Sequence, residues 1–152
     1  MKIDETQVVV TIYNAAQAQA AAKAAKGLNI SLVLLSAPAA AASMGAAWFL
    51  ALISQTRERY PDADIQAALD CADYAGYAMA ALREGVKTVI FNGPAFNAVN
   101  EIAKQFDARV LKSRPENLDA RLVNAKEALA DAFREEFISF QSTKAGTTII
   151  ST

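Results

Sequence analysis

Short runs of β-branched and aliphatic residues alternate with alanine-rich stretches along almost the whole chain, and this alternation most limits what it can fold into. Gln7 to Tyr13 (QVVVTIY) has the density of β-branched residues of a strand. Ala15 to Lys26 has the composition of a helix, with Gly27 placed as the C′ residue that would stop it. Ile30 to Leu35 is a second apolar run, and Pro38 opens a segment that reads as helical from Ser43 to Ile53. Tyr60 to Asp64 reads as a turn and Ile65 to Leu69 as a third strand, with Asp73 placed to cap a helix from Tyr74 to Glu84 that Gly85 ends. Val86 to Phe91 supplies a fourth strand, Asn92-Gly93-Pro94 breaks it, and Ala95 to Phe106 reads as helix. Ala108 to Leu111 is a short fifth strand, after which Pro115 sits at N1 of a last helix.

Strands separated by single helices and short connections predict an α/β fold, a three-layer αβα sandwich around a five-stranded, mostly parallel sheet. Right-handed crossovers leave few topologies. A flavodoxin-like order, 2-1-3-4-5, is expected over a Rossmann order because the fifth strand is the shortest and belongs at an edge. No repeat, charge block or low-complexity linker divides the chain, so residues 1–140 read as a single α/β domain. Residues 141–152 read as a tail that either adds a strand or is disordered.

Composition removes several chemistries. The chain has no His, which excludes Ser-His and Cys-His nucleophile pairs and the commonest transition-metal ligand, so no metal site is expected. Fifteen basic residues against sixteen acidic ones, scattered rather than striped, leave no field for a polyanion, so nucleic acid is not an expected partner. A single cysteine and no leader-like N-terminal pattern suit a cytoplasmic protein. The longest apolar-looking run, Ala37 to Ile53, is mostly alanine and contains Pro38, Ser43 and Gly45, so no membrane span is expected either.

Ligands of open parallel sheets collect beyond the carboxyl ends of the strands, and the residues expected there are polar. Asn14 follows the first strand, Ser36 and Ser43 the second, and Asp70, Cys71 and Asp73 the third. Asn92 and Gly93 follow the fourth, and Lys112, Ser113 and Arg114 the fifth. In Asp70-Cys71-Ala72-Asp73, two carboxylates flank a thiol at a strand-to-helix turn. Such a pair can divide acid and base roles, and a thiol near a helix N-terminus can ionise, which would permit catalysis by Asp70, Asp73 and Cys71 without histidine. Equally, Asp73 can be a cap, Asp70 can accept turn N–H bonds, and Cys71 can be a small core residue. Ser43-Met44-Gly45 at a helix start could expose N–H groups to an anion, or be a plain cap. Lys112 and Arg114 can supply positive charge to the same rim. No GxGxxG or P-loop motif is present, and no cofactor is indicated.

From Pro61 to Leu129 the order of these features resembles a response-regulator receiver domain. The resemblance implies a flavodoxin-like architecture, with Asp70 at the phosphoacceptor position, Gly76 as a turn glycine, Asn92 at the switch hydroxyl position and Lys112 as the phosphate-binding lysine. The chain departs from that pattern in carrying Tyr13-Asn14 instead of an acidic pair, Asn92 instead of Ser or Thr, and Ser113-Arg114 between Lys112 and Pro115. Mg²⁺ would have too few oxygen ligands, so the likeness extends to architecture and not to phosphotransfer.

Two segments carry more apolar surface than one domain needs. Met44, Trp48, Phe49, Leu50, Leu52 and Ile53 point in nearly every direction around the 43–53 helix. A last helix from 116 to 140 carries Leu118, Leu122, Ala125, Leu129, Ala132, Phe133, Phe137 and Phe140, and at about 36 Å it would outreach a sheet about 20 Å deep, leaving Phe137, Ile138 and Phe140 in need of another surface. A homodimer through these two helices is expected. Function then reads in two ways: a domain binding a small polar or anionic ligand at the strand ends, a small enzyme using Asp70 among its forms, or a noncatalytic assembly or regulatory module.

Overall fold

The computed structural model describes residues 7–123 and 129–150, with side chains as far as 143. The first half runs β1 (Val8–Ile12), α1 (Ala15–Leu28), β2 (Leu32–Ser36), α2 (Ala40–Ser43), α3 (Ala46–Arg59) and β3 (Ile65–Asp70). The second runs α4 (Ala75–Glu84), β4 (Thr88–Ile90), α5 (Phe96–Gln105), β5 (Arg109–Leu111), β6 (Leu118–Asp119), a 3-10 turn (Ala120–Leu122) and α6 (Leu129–Ile150). The chain is an α/β protein, a parallel sheet flanked by helices, with six strands rather than five.

The sheet order is β5-β4-β3-β2-β1-β6, with every pairing parallel. The short β5 is at an edge, as its length suggested, but the flavodoxin-like order is overturned because β2, not β1, lies between β1 and β3. Strand length identifies an edge, whereas the direction in which a crossover steps leaves no local trace in the residues. From β1 to β5 each connection steps to the next position in one direction. The reversal between neighbouring connections at which flavodoxin-like sheets open a ligand crevice is therefore absent from that run. The receiver likeness loses its architecture with it.

Apolar side chains form two clusters. Val8, Val10, Leu32, Leu34, Leu69 and Val89 project to the face packed by α1, α3, α4, α5 and α6. The α1 surface there is Ala18, Ala21, Ala22, Ala24 and Ala25, so the helix backbone sits close to the sheet. The opposite face gathers Val9, Val33, Leu35, Ala68 and Ile90, with Leu111 beside them. Residues 112–117 carry the chain from β5 at one edge to β6 at the other and touch this face through Arg114 and Asn117, both bonded to Thr11.

Several local expectations are corrected. Gly27 lies inside α1, and Asn29, at φ 54°, takes the left-handed capping position because its side chain tolerates it. Ser43 closes α2 instead of opening the next helix, and Gly45, at φ 89°, separates α2 from α3. Asp73 caps nothing, since Tyr74 is the N-cap residue of α4 and no side chain caps it. Pro115 does not start a helix. Asn117 accepts from Thr11 Oγ1 at 2.7 Å and Tyr13 OH donates to Asp119 at 3.0 Å, which ties this stretch to β1 as a strand. The described part of the last helix is Leu129–Ile150, so residues 141–150, expected as a tail, belong to it; Ala125 and residues 151–152 lie outside the described residues.

The supports for the dimer change as well. Phe133 and Phe137 are fully buried in the core of their own domain, where α6 packs on α1, and Phe140 is half-buried against the same cluster. On α3, Phe49, Leu52 and Ile53 are buried while Trp48 and Leu50 pack against the core. Of the apolar residues singled out on these two helices, Met44, Leu122 and Ile138 remain exposed.

Candidate functional site

Three polar residues end adjacent strands and are almost completely buried: Thr11 on β1, Ser36 on β2 and Asp70 on β3. Burial of polar groups at strand ends is tolerable only if each finds a partner. Arg114 reaches all three. Its Nη1 donates to Asp70 Oδ2 at 2.8 Å and to the Ser36 carbonyl at 2.9 Å, and its Nη2 donates to Thr11 Oγ1 at 2.8 Å. The second Asp70 oxygen accepts the Ala72 N–H at 2.8 Å, and Ser36 Oγ accepts the Asp70 N–H at 2.8 Å. Ala72 itself is at φ 49°, a left-handed conformation costly for alanine, and it is pinned by that bond and by Asn92 N–H donating to its carbonyl at 2.9 Å.

This network alters the roles expected of the acidic turn. Asp70 has both oxygens occupied by a guanidinium and a backbone amide, as a structural anchor would. Cys71 is fully buried, and desolvation, with the Asp70 charge adding to it, pushes its thiol up to about 12. Burial of this kind disfavours the thiolate that nucleophilic chemistry needs. Asp73 is exposed beside them.

The other expected residues separate. Asn14 Oδ1 accepts the Gln17 N–H at 2.8 Å and caps α1. Ser43 is exposed at the end of α2, and the Gly45 N–H is taken by the Ala40 carbonyl at 3.1 Å. Lys112 Nζ sits over the Phe96 ring, 4.7 Å from its centroid, rather than beside Asp70. Gly93 is buried where a Cβ would come within 2.7 Å of the Phe91 ring and 3.0 Å of the Asp73 carbonyl, so it permits the β3 and β4 loops to approach. Asn92 is exposed at the same place. Among the described residues no group of three His, Cys, Asp or Glu could hold a metal ion, and no described helix is long and apolar enough to cross a membrane.

Sequence reasoning missed Thr11, Tyr13, Asp119 and the pairing of Arg114 with Asp70. Tyr13 OH donates to Asp119, whose carboxylate also accepts from Arg121 at 3.0 Å, and Arg121 covers the Tyr13 ring at 4.2 Å. The Arg121 bonds hold Asp119 below the usual carboxylate range, while burial first and the Asp119 bond second push the Tyr13 phenol up. A threonine inside an otherwise apolar strand was the available signal that something polar must meet it.

Beside exposed Asp73 and Asn92, the rim exposes aromatic side chains. Tyr74 and Tyr77, at the start of α4, are each 48% exposed and meet edge to face at 5.7 Å. Met44, 52% exposed, follows α2, which packs against α4. Compared with known proteins, the chain matches no family model, and no curated protein is similar to it in sequence.

Proposed function

We propose that the protein is a noncatalytic assembly module that meets a second copy of itself through the carboxyl-end rim around Tyr74, Tyr77 and Met44. The observation that carries this reading is the exposed Tyr74–Tyr77 pair beside an Asp70 whose carboxylate is already satisfied. Catalysis by Asp70 and Cys71 would call for a free carboxylate and an accessible thiol, and here one is paired and the other buried. Recognition calls for rigid amphipathic rings, which these are.

Half-exposed tyrosines each leave about 100 Å² of ring uncovered, on the usual payload of 150–250 Å² per aromatic side chain. A twofold contact would bring four such rings and two Met44 side chains together. That makes the apolar centre of an interface whose standard total size is about 1,600 Å². A second copy suits the rim because exposed Asp73 and Lys112 have opposite charges and can pair reciprocally across a twofold axis. The near-neutral chain, at a net charge of −1, opposes association little.

Sedimentation equilibrium over a concentration series tests this. The expected result is a dimer mass that becomes a monomer mass in the Tyr74→Ser/Tyr77→Ser variant, with the thermal melt preserved. Asp70→Asn should leave the self-association constant unchanged wherever the variant is folded. A monomer mass at every concentration, or association indifferent to the two tyrosines, would overturn the proposal.

A further inference from the structure

At the amino ends of β3, β4 and β5, away from the strand-end network, the protein has an open cavity of about 430 Å³. Strand length creates it. The register of β4 with β3 pairs only Leu69↔Val89 and Asp70↔Ile90 and β4 starts at Thr88, so Ile65 to Ala67 have no strand beside them on that side. The Asp64 carbonyl faces β2, accepting the Leu32 N–H at 2.9 Å, and alternation along the strand turns the backbone groups of Ile65 and Ala67 toward the gap. Arg57 Nη2 donates to the Ile65 carbonyl at 2.9 Å, which fixes this guanidinium in the cavity wall. Lys87 is fixed in the same way, its Nζ donating to the Phe106 carbonyl at 2.7 Å.

Arg109 is different. It is half-buried in the lining opposite Thr88, and among the described residues its side chain makes no hydrogen bond, ion pair or ring contact. Phe49 and Ile53 of α3, both buried, give the cavity an apolar wall. Three cations therefore line a space whose only carboxylate among the described residues is Asp107, in a chain whose net charge is −1. An arginine half-buried in the lining, with no acceptor among the described residues, gains most from a bidentate anion, and its neighbours, already held by carbonyls, need little further ordering to add their field.

We propose that this cavity binds a small organic anion, a carboxylate or phosphate ester on a compact apolar body, with Arg109 as the principal anion ligand and Arg57 and Lys87 as flanking charges. The volume suits such a molecule. Alternation along β4 and β5 turns Thr88 and Arg109 to the face opposite α3, so the anion meets them where the uncovered start of β3 leaves the sheet open, and the apolar part extends from there toward Phe49 and Ile53.

The test is an amide chemical-shift titration of the ¹⁵N-labelled chain with phenyl phosphate, benzoate and benzamide. Saturable shifts at Gly85, Lys87, Thr88 and Arg109 are expected with the anions and not with neutral benzamide. Tighter binding of phenyl phosphate assigns a phosphate ester, and tighter binding of benzoate a carboxylate. Arg109→Gln should weaken binding by about tenfold or more, in line with loss of a charge-assisted contact, while the remaining amide spectrum is retained. Lys87→Gln should weaken it less and flatten its dependence on salt. The Tyr74→Ser/Tyr77→Ser variant, altered at the other end of the sheet, should bind as the parent does. Absence of saturable shifts with both anions, an equal response to benzamide, or parental affinity in a folded Arg109→Gln or Lys87→Gln variant would overturn the proposal.

Discussion

Replacing Arg114 with alanine removes the group that holds the ends of β1, β2 and β3 together. The ion pair it forms with Asp70 is 2.8 Å long, with the Arg114 side chain 24% and the Asp70 side chain 6% exposed. In Arg114→Ala, Asp70 Oδ2 and the Ser36 carbonyl lose their donor, whereas Thr11 keeps its bond to Asn117. Breaking a buried pair from one side costs about 3–5 kcal/mol because the remaining charge stays buried. The partial exposure of Arg114 admits water to the vacated position, which places the expected loss at the lower end, about 3 kcal/mol. For a chain of this length each kcal/mol moves Tm by about 2–4 °C, so the melt should fall by about 6–12 °C. Guanidinium unfolding followed by circular dichroism at neutral pH measures the loss directly. Asp70→Asn leaves an amide oxygen for Arg114, so a double-variant cycle should show a coupling of about 2 kcal/mol. The reasoning fails if Arg114→Ala lies within about 0.5 kcal/mol of the parent, the range of ordinary surface substitutions, or if the two changes simply add.

Cys71, with its thiol pushed up to about 12, should resist a disulfide reagent such as DTNB in the folded protein at neutral pH and react at once in denaturant; fast native reaction would contradict the burial. Because the Tyr13 phenol is raised in the fold, its contribution is intact below its ordinary value of 10.0 and is lost as pH rises through the higher folded value. Tyr13→Phe should therefore lose about 1 kcal/mol at neutral pH, from the missing bond to Asp119, and show less alkaline destabilisation than the parent in melts across that range. Gly93→Ala should cost about 1–3 kcal/mol, because the added methyl meets the Phe91 ring and the Asp73 carbonyl. Gly27→Ala, exposed within α1 with nothing near the new methyl, should instead stabilise by about 0.5–1 kcal/mol, and calorimetry of the two glycine variants should move Tm in opposite directions.

The five strands read from β-branched runs are present with their ends moved by a residue or two, and Gly85 ends α4 from the expected left-handed position. These features are local: β-branching, alanine content and a positive φ act within a few residues of one another. At the proposed rim, Asp70 was placed correctly at a strand end, yet its role was not legible. Arg114 lies far along the chain from Asp70, and its positive charge looked available for a ligand until the strap from β5 to β6 brought it onto the carboxylate. Gln66, Thr88 and Arg109 drew no attention because nothing in their own segments marks them. They line a cavity only because β4 is too short to cover β3.

The sequence by itself determined the alternation of strands and helices, the parallel α/β class that follows from it, and the absence of histidine chemistry, since each depends on composition or spacing within one segment. Tertiary structure alone decided the order of the strands, the burial of Phe137 against its own domain, the pairing of Asp70 with Arg114 and the place of Arg109 in the cavity lining. The physical reason is separation along the chain. Crossover direction, burial and the partner of a charge are set by residues distant in sequence, and those meet only once the sheet has been assembled.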